Sequence, residues 1–188
     1  MKKHIILASN SPRRRELLAG LDLDFEVKVL PDVAEDYPND LPAVDVAGYI
    51  AREKADVYKA MITEDDLVIT ADTVVVVDNE VLGKPVDAND ARRMLHLISG
   101  RKHQVVTGVC LLTSTDYHSF SVTTDVTFKK LSDEEINYYI EHFKPFDKAG
   151  AYGIQEWIGY VGVTSINGSY FNVMGLPVQR IWEEVHKL

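Results

Sequence analysis

Leu67-Val68-Ile69-Thr70-Ala71-Asp72-Thr73-Val74-Val75-Val76-Val77 is a strongly β-branched run that reads as a buried strand. It turns at Asp78-Asn79 into a short return strand ending near Gly83. Outward from it, strand-like and helix-like segments alternate through the first half of the chain, which favours an α/β layer architecture. Upstream, 4–9 reads as a strand. Ser11 is a good N-cap and Pro12 suits the first helical position, so a helix is predicted over 12–19, stopping at Gly20. A second strand is expected over 25–30, an acidic, proline-containing loop over 31–42, and a helix from Ala43 to about Ile62.

Downstream, the pattern predicts a helix over 87–98 stopped by Gly100. Two long strands, 103–112 and 119–129, should form an antiparallel pair joined at Ser114-Thr115-Asp116-Tyr117. Ser132-Asp133-Glu134-Glu135 is a capping box opening a helix that reaches about Phe143. A glycine-rich irregular segment, 144–155, is followed by an expected strand over 158–166, a turn at Asn167-Gly168 and a closing helix over 177–187. No internal repeat or flexible linker interrupts the pattern, so 1–188 reads as a single mixed-sheet unit.

The composition of the 188 residues is that of a globular protein, 46% hydrophobic and 26% charged. A net charge of −9 argues against a general nucleic-acid or membrane-surface binder, which would present a basic face. The position of each Lys and Arg is then more informative than their total. The single cysteine, Cys110, lies in an apolar run and reads as a small buried hydrophobe. Two lysines precede the apolar start, but that stretch is too short for a secretory signal, and no segment is long enough to span a membrane. The expected location is the cytoplasm.

Four placements are hard to explain by folding alone. Asp72 interrupts the buried run, where an ionised carboxylate is costly unless it is paired, binds metal or faces a cleft. Acid–base chemistry and Mg²⁺ binding both call for such a group; a structural Asp bonded by backbone amides at a bulge is the alternative. Arg13-Arg14 stand in the first turn of a helix, where cations are disfavoured by about 0.3–1 kcal/mol each. Either they are solvated, with Glu16 softening the charge, or they accompany a phosphate at the helix N-terminus. Lys54 falls on the apolar stripe with Ala47, Ile50, Ala51, Tyr58 and Met61, away from Glu53 and Asp56. It either snorkels to solvent or stands between a core and a ligand. Gly83-Lys84-Pro85 is a rigid turn that would aim Lys84 back toward the Asp72 strand.

The remaining candidates are blander. His103 fills the sheet in the plain reading, and the histidines show no metal-ligand spacing. There is no Walker A sequence, Gly-x-Ser-x-Gly or dinucleotide fingerprint. The segment Asp147-Lys148-Ala149-Gly150-Ala151-Tyr152-Gly153-Ile154-Gln155 suggests backbone approaching a ligand closely, with Gln155 able to read an amide edge. Converging cations and one buried carboxylate describe a phosphate-ester site.

These stretches resemble the Maf family of nucleotide pyrophosphatases. The resemblance runs through 8–18, Ala51-Arg52-Glu53-Lys54-Ala55, Ala71-Asp72-Thr73, Gly83-Lys84-Pro85, Ser99-Gly100, His103 to Val109, 147–155, 166–170 and 175–177, in order along nearly the whole chain. It implies the fold of inosine-triphosphate pyrophosphatases: a mixed twisted sheet flanked by helices, with two lobes around a central cleft. It also implies metal-dependent cleavage of a nucleoside triphosphate to the monophosphate plus pyrophosphate, with Mg²⁺ or Mn²⁺ as cofactor. Asp72 aligns with the general base and, with Glu35, would hold the metal. Ser9, Arg14, Lys54 and Lys84 would contact substrate. Arg13, Thr73 and Gln155 occupy the positions associated with base choice, a combination that looks like the dTTP/UTP branch. The 7-methyl-GTP branch tends to carry Trp, Gln and Glu there. The resemblance further suggests a homodimer. It leaves two other functions open, a nucleotide-sensing regulator of septum formation and the same reaction on non-standard nucleotides.

Overall fold

The computed structural model describes residues 3–31 and 35–188. Met1 and Lys2, and residues 32–34 of the expected acidic loop, lie outside the described residues. In chain order the elements are β1 (His4–Leu7), α1 (Pro12–Ala19), β2 (Phe25–Val27), α2 (Val46–Asp56), β3 (Asp66–Val77), β4 (Glu80–Leu82), α3 (Ala88–Ile98), β5 (Lys102–Leu112), β6 (Tyr117–Phe128), α4 (Asp133–Phe143), α5 (Trp157–Gly162), β7 (Val163–Asn167), α6 (Tyr170–Met174) and α7 (Val178–Val185). Short 3-10 turns stand at Ala43–Asp45, Pro145–Asp147 and Ala149–Ala151.

The strands form a seven-stranded sheet in the order β2-β1-β3-β5-β6-β7, with β4 on β3. It is mixed, as expected. β1 runs parallel to both β2 and β3, with Ile6 opposite Glu26 and Val68. β4 returns antiparallel along β3, Leu82 facing Val75, and β7 is antiparallel to β6. The β-branched run is buried along almost its whole length, as a strand covered on both faces must be.

The chain divides into two compact units, passing between them at 72–73, 106–107, 122–123 and 174–175. Unit 1 contains β1, α1, β2, α2, the first half of β3, the distal parts of β5 and β6, and α7. Part of its core is Ile6, Ala55, Tyr58, Val68, Cys110 and Leu112, so Cys110 is the buried hydrophobe its surroundings suggested. Gly108 lets α2 lie directly on β5. A Cβ there would come within 2.3 Å of the Ala47 carbonyl carbon and oxygen and of the Gly48 nitrogen. Unit 2 packs α3, α4 and the 147–158 segment around Val75, Val77, Leu82, Leu95, Ile98, Phe128 and Tyr139.

The predicted caps on α1 and α4 form: Ser11 Oγ accepts from Arg14 N, and Ser132 with Glu135 completes a reciprocal capping box. Asp87, expected as the first residue of the third helix, is instead its N-cap, accepting from Asp90 N. Some boundaries differ. The expected helix from Ala43 stops at Asp56, followed by turns, because Tyr58 turns inward and its hydroxyl donates to the Lys28 carbonyl at 3.0 Å. β1 and β2 are shorter than the predicted strands. The expected strand over 158–166 is wrong in its first half, which is helix α5, and only the second half is strand. There, Gly159 packs so tightly on the Ile154 carbonyl that a Cβ would sit 1.7 Å from its oxygen. The helical turn buries Ile158 while leaving Tyr160 84% exposed. Helix α6 has no counterpart in the sequence reading. Among the described residues no helix is long and apolar enough to cross a membrane.

Candidate active site

In unit 1 the end of β1 leads through Ala8-Ser9-Asn10 into α1. Ser9 is 7% exposed and its Oγ accepts the Ser11 amide at 3.2 Å, shaping the turn that presents the helix N-terminus. No acidic side chain occupies the first turn of α1, where Arg13 and Arg14 stand against the helix dipole. Arg13 is half-buried. Arg14 folds back across the unit: Nε donates to the Gly175 carbonyl at 2.8 Å and Nη1 to the Ala71 carbonyl at 2.9 Å. Desolvation lowers its pKa, Asp72 raises it, Arg13 lowers it and Glu35 raises it. A guanidinium stays protonated under these opposing influences. Arg14 therefore clasps α1 to the residue immediately before Asp72, in addition to adding positive charge near that carboxylate.

Asp72 is 8% exposed, the costly placement its sequence context indicated. Lys54 offsets that cost, with Nζ donating to Asp72 Oδ1 at 2.8 Å. The same ammonium lies 2.8 Å from Glu35 Oε1, so one cation holds two carboxylates. Lys54 reaches this point because α2 is pinned to β3: Thr70 Oγ1 donates to the Ala51 carbonyl at 2.6 Å, and Gly108 allows the close helix–sheet approach. Lys54 does not snorkel into open solvent, since its side chain is only 15% exposed and is paired with two carboxylates. Glu35 is more open, its side chain 46% exposed. The structure thus brings Asp72, Glu35, Lys54 and Arg14 together.

Thr73, Lys84 and Gln155 belong to unit 2. Thr73 follows Asp72 on β3 and is half-buried, while Lys84 is exposed in the turn after β4, which runs antiparallel to β3. The 147–155 segment carries left-handed backbone at Gly150 and Ala151, with φ of 67° and 61°, and the Gly150 amide donates to the Gly83 carbonyl at 3.0 Å. The turn bearing Lys84 is thereby tied to the segment bearing Gln155. Among the described residues, the buried Gln155 Oε1 finds no hydrogen-bond donor.

His103 lies in the core. It is 2% exposed, with Nε2 at 2.7 Å from the Tyr152 hydroxyl and its ring packed near Phe128. Burial pushes its pKa down to about 4, with Asp125 opposing, so it is neutral at physiological pH. Burial likewise pushes the Tyr152 phenol well above its ordinary range.

Sequence reasoning did not single out Lys148, Glu156 or Tyr139, which surround the Gln155 segment. Lys148 is 8% exposed and its Nζ lies 2.8 Å from Asp147 Oδ1 and 3.1 Å from Glu156 Oε1. Tyr139 donates to Glu156 Oε2 and accepts the Gly153 amide at 2.9 Å. The one available signal was Tyr139 standing beside Ile140 on the buried face of α4.

A family model described as "Maf-like protein" matches residues 4–188. A dTTP/UTP pyrophosphatase of Phocaeicola vulgatus is 59% identical over 100% of this chain and 97% of its own length. The dTTP/UTP pyrophosphatase of Bacteroides thetaiotaomicron is 54% identical over 100% of this chain and 97% of that protein, and that of Flavobacterium johnsoniae 50% over 97% and 94%. Among solved structures, the Staphylococcus aureus Ham1 protein aligns with a TM-score of 0.50, at 18% identity, over 67% of this chain and 72% of that one, a likeness of fold alone. The chain belongs to the Maf family.

Proposed function

We propose that this protein hydrolyses dTTP and UTP to the nucleoside monophosphate and pyrophosphate. The observation that carries the mechanism is the Lys54 ammonium held 2.8 Å from both Glu35 and Asp72, the latter on a buried strand where no folding requirement calls for charge. The substrate class is supported by relatives 50–59% identical over essentially the full chain that bear this activity's name.

In the reaction, water attacks the α-phosphorus, its proton passes to a base, and the bond to the β-phosphate oxygen breaks to release pyrophosphate. Asp72 is the base. It is nearly buried, so its oxygens are poorly solvated and aimed by Lys54. Arg14 fixes the Ala71 carbonyl and hence the strand carrying Asp72. Arg13 and Lys84 add positive charge for the phosphates, and Ser9 with the α1 N-terminus offers donors to phosphate oxygens. Thr73 and Gln155 would read the nucleobase. A uracil or thymine edge has two carbonyls and one N–H, which the Gln155 amide, with its unpartnered Oε1, is able to meet.

Among the described residues no group of three His, Cys, Asp or Glu is placed to hold a metal. The donor set nonetheless fits Mg²⁺ or Mn²⁺, which are held by one or two carboxylates together with substrate phosphates. Asp72 and Glu35 already converge on one cation, the Lys54 ammonium. They would hold the metal, which when bound neutralises charge on the phosphate oxygens and the leaving group. On this reading the enzyme works in the cytoplasm as a homodimer. The test is a panel of individual nucleoside triphosphates with Mg²⁺ or Mn²⁺, scored by pyrophosphate release. dTTP and UTP should lead, and a panel led by purine nucleotides would overturn the substrate assignment.

A further inference from the structure

The Gln155 segment is held by a polar network, built on the buried Tyr139 and Lys148 with Glu156 half-buried between them, that the catalytic chemistry does not use. Gly153 and Glu156 stand on either side of Ile154-Gln155, and both end on one atom, the Tyr139 hydroxyl. That hydroxyl accepts the Gly153 amide and donates to the Glu156 carboxylate. The Glu156 amide also donates to the Gly153 carbonyl at 3.0 Å, closing the turn. The other Glu156 oxygen lies 3.1 Å from Lys148 Nζ, which also holds Asp147 at 2.8 Å.

The Lys148 stem and the Gln155 amide both lie against Gly153. A Cβ on Gly153 would sit 3.0 and 3.1 Å from Lys148 Cε and Cδ and 3.2 Å from Gln155 Nε2. Tyr139 is fully buried, and burial together with its bond to Glu156 pushes its pKa far above the usual phenol range, so it remains a donor.

For stability alone such a network is a poor choice. Buried ion pairs lose in desolvation much of what they gain in attraction, and apolar side chains of the same volume often hold a fold better. What a fully satisfied polar network does supply is one geometry rather than several. Here the geometry is that of the two residues bracketing Ile154-Gln155, and Gln155 Oε1 is buried and, among the described residues, without a protein donor. A freely rotating amide pairs with either pyrimidine edge: oxygen toward the N3–H of uracil or thymine, or nitrogen toward the bare N3 of cytosine. An amide held with its oxygen toward the base accepts only from the imide.

We infer that Lys148, Glu156 and Tyr139 are positioning residues that hold the Gln155 amide for imide-bearing pyrimidines and against cytosine. This rests on the proposed role of Gln155 in reading the base. It needs no contact between the network and the substrate, only fixed flanks for the residue that makes one.

The test measures kcat/KM for UTP and for CTP on the wild type, Tyr139→Phe, Lys148→Met, Lys148→Arg and Gln155→Ala. The UTP/CTP ratio is independent of the fraction of enzyme that is folded, so a merely structural role does not move it. Tyr139→Phe and Lys148→Met should each lower the ratio by roughly ten- to a hundredfold, the scale of a small misplacement of a binding group. Lys148→Arg should restore part of it. Tyr139→Phe should lower the ratio no further in a Gln155→Ala background, as coupled residues require. If Gln155→Ala collapses the ratio while Tyr139→Phe and Lys148→Met leave it at the wild-type value, the positioning inference is wrong and the base reading survives. If Gln155→Ala itself leaves the ratio unchanged, the base reading fails first.

Discussion

Acidification below about pH 6.5 should destabilise this protein through His103. His103 is buried against Phe128 and bonded to Tyr152, and burial pushes its pKa to about 4 from the usual 6.5. In the unfolded chain the imidazole takes up its proton near pH 6.5, whereas the folded chain resists until about pH 4. The unfolded state thus binds more protons throughout that window, and stability rises with pH across it. The contribution is complete above pH 6.5 and lost progressively down to pH 4. At roughly 1.4 kcal/mol for each tenfold change in proton affinity, the gap corresponds to about 3 kcal/mol.

The assay is urea unfolding at several pH values between 7.5 and 4, on the wild type and on His103→Gln. The glutamine amide still reaches the Tyr152 hydroxyl but does not titrate. Glu184, drawn down to about 2 by Lys187, Arg180 and His118, and Asp66, lowered by Thr63 and His4, keep their protons off until the pH is lower. Their contributions appear equally in both proteins. The wild type should therefore lose about 3 kcal/mol more than His103→Gln between pH 6.5 and 4. Parallel pH profiles for the two proteins would refute the reasoning, since they would mean that His103 is not forced neutral by its surroundings.

Two further substitutions follow from single contacts. Gly108→Ala places a methyl within 2.3 Å of the Ala47 backbone; it should cost about 3 kcal/mol or more in urea unfolding and, by lifting α2 and Lys54 away from Asp72, lower kcat. Arg14→Lys keeps the charge but cannot clasp the carbonyls of Ala71 and Gly175 together. It should lower thermal stability by about 1–3 kcal/mol and kcat by at least tenfold, with a smaller change in KM, measured by steady-state kinetics on UTP.

What the sequence discloses here is whatever is local and periodic. The β-branched run around Asp72 announces a buried strand, and it is one. Ser11, Asp87 and Ser132 are helix starts because a side-chain oxygen two or three residues ahead of free amides is a local arrangement. The run Ile158-Gly159-Tyr160-Val161-Gly162 is different. Short apolar stretches have no decisive period, and the helix there is settled by Gly159 against the Ile154 carbonyl, a packing event.

The same division holds at the site. Arg13-Arg14 stood out as charges placed against a helix dipole, yet Arg14 spends two donors on carbonyls 57 and 161 residues away. No spacing rule reaches that far. Lys148 appeared only as one letter in a glycine-rich segment, and its burial between Asp147 and Glu156, beside Tyr139, becomes visible only when α4 and the segment are packed.

The central claim is that Asp72 takes the proton from the water that cleaves dTTP and UTP. It is tested most directly by Asp72→Asn, which keeps the size and the strand but removes the base. With Mg²⁺ and saturating UTP or dTTP, pyrophosphate release by Asp72→Asn should fall by at least about a hundredfold, while a thermal melt stays near the wild-type value. Release at the wild-type rate from folded Asp72→Asn would contradict the account.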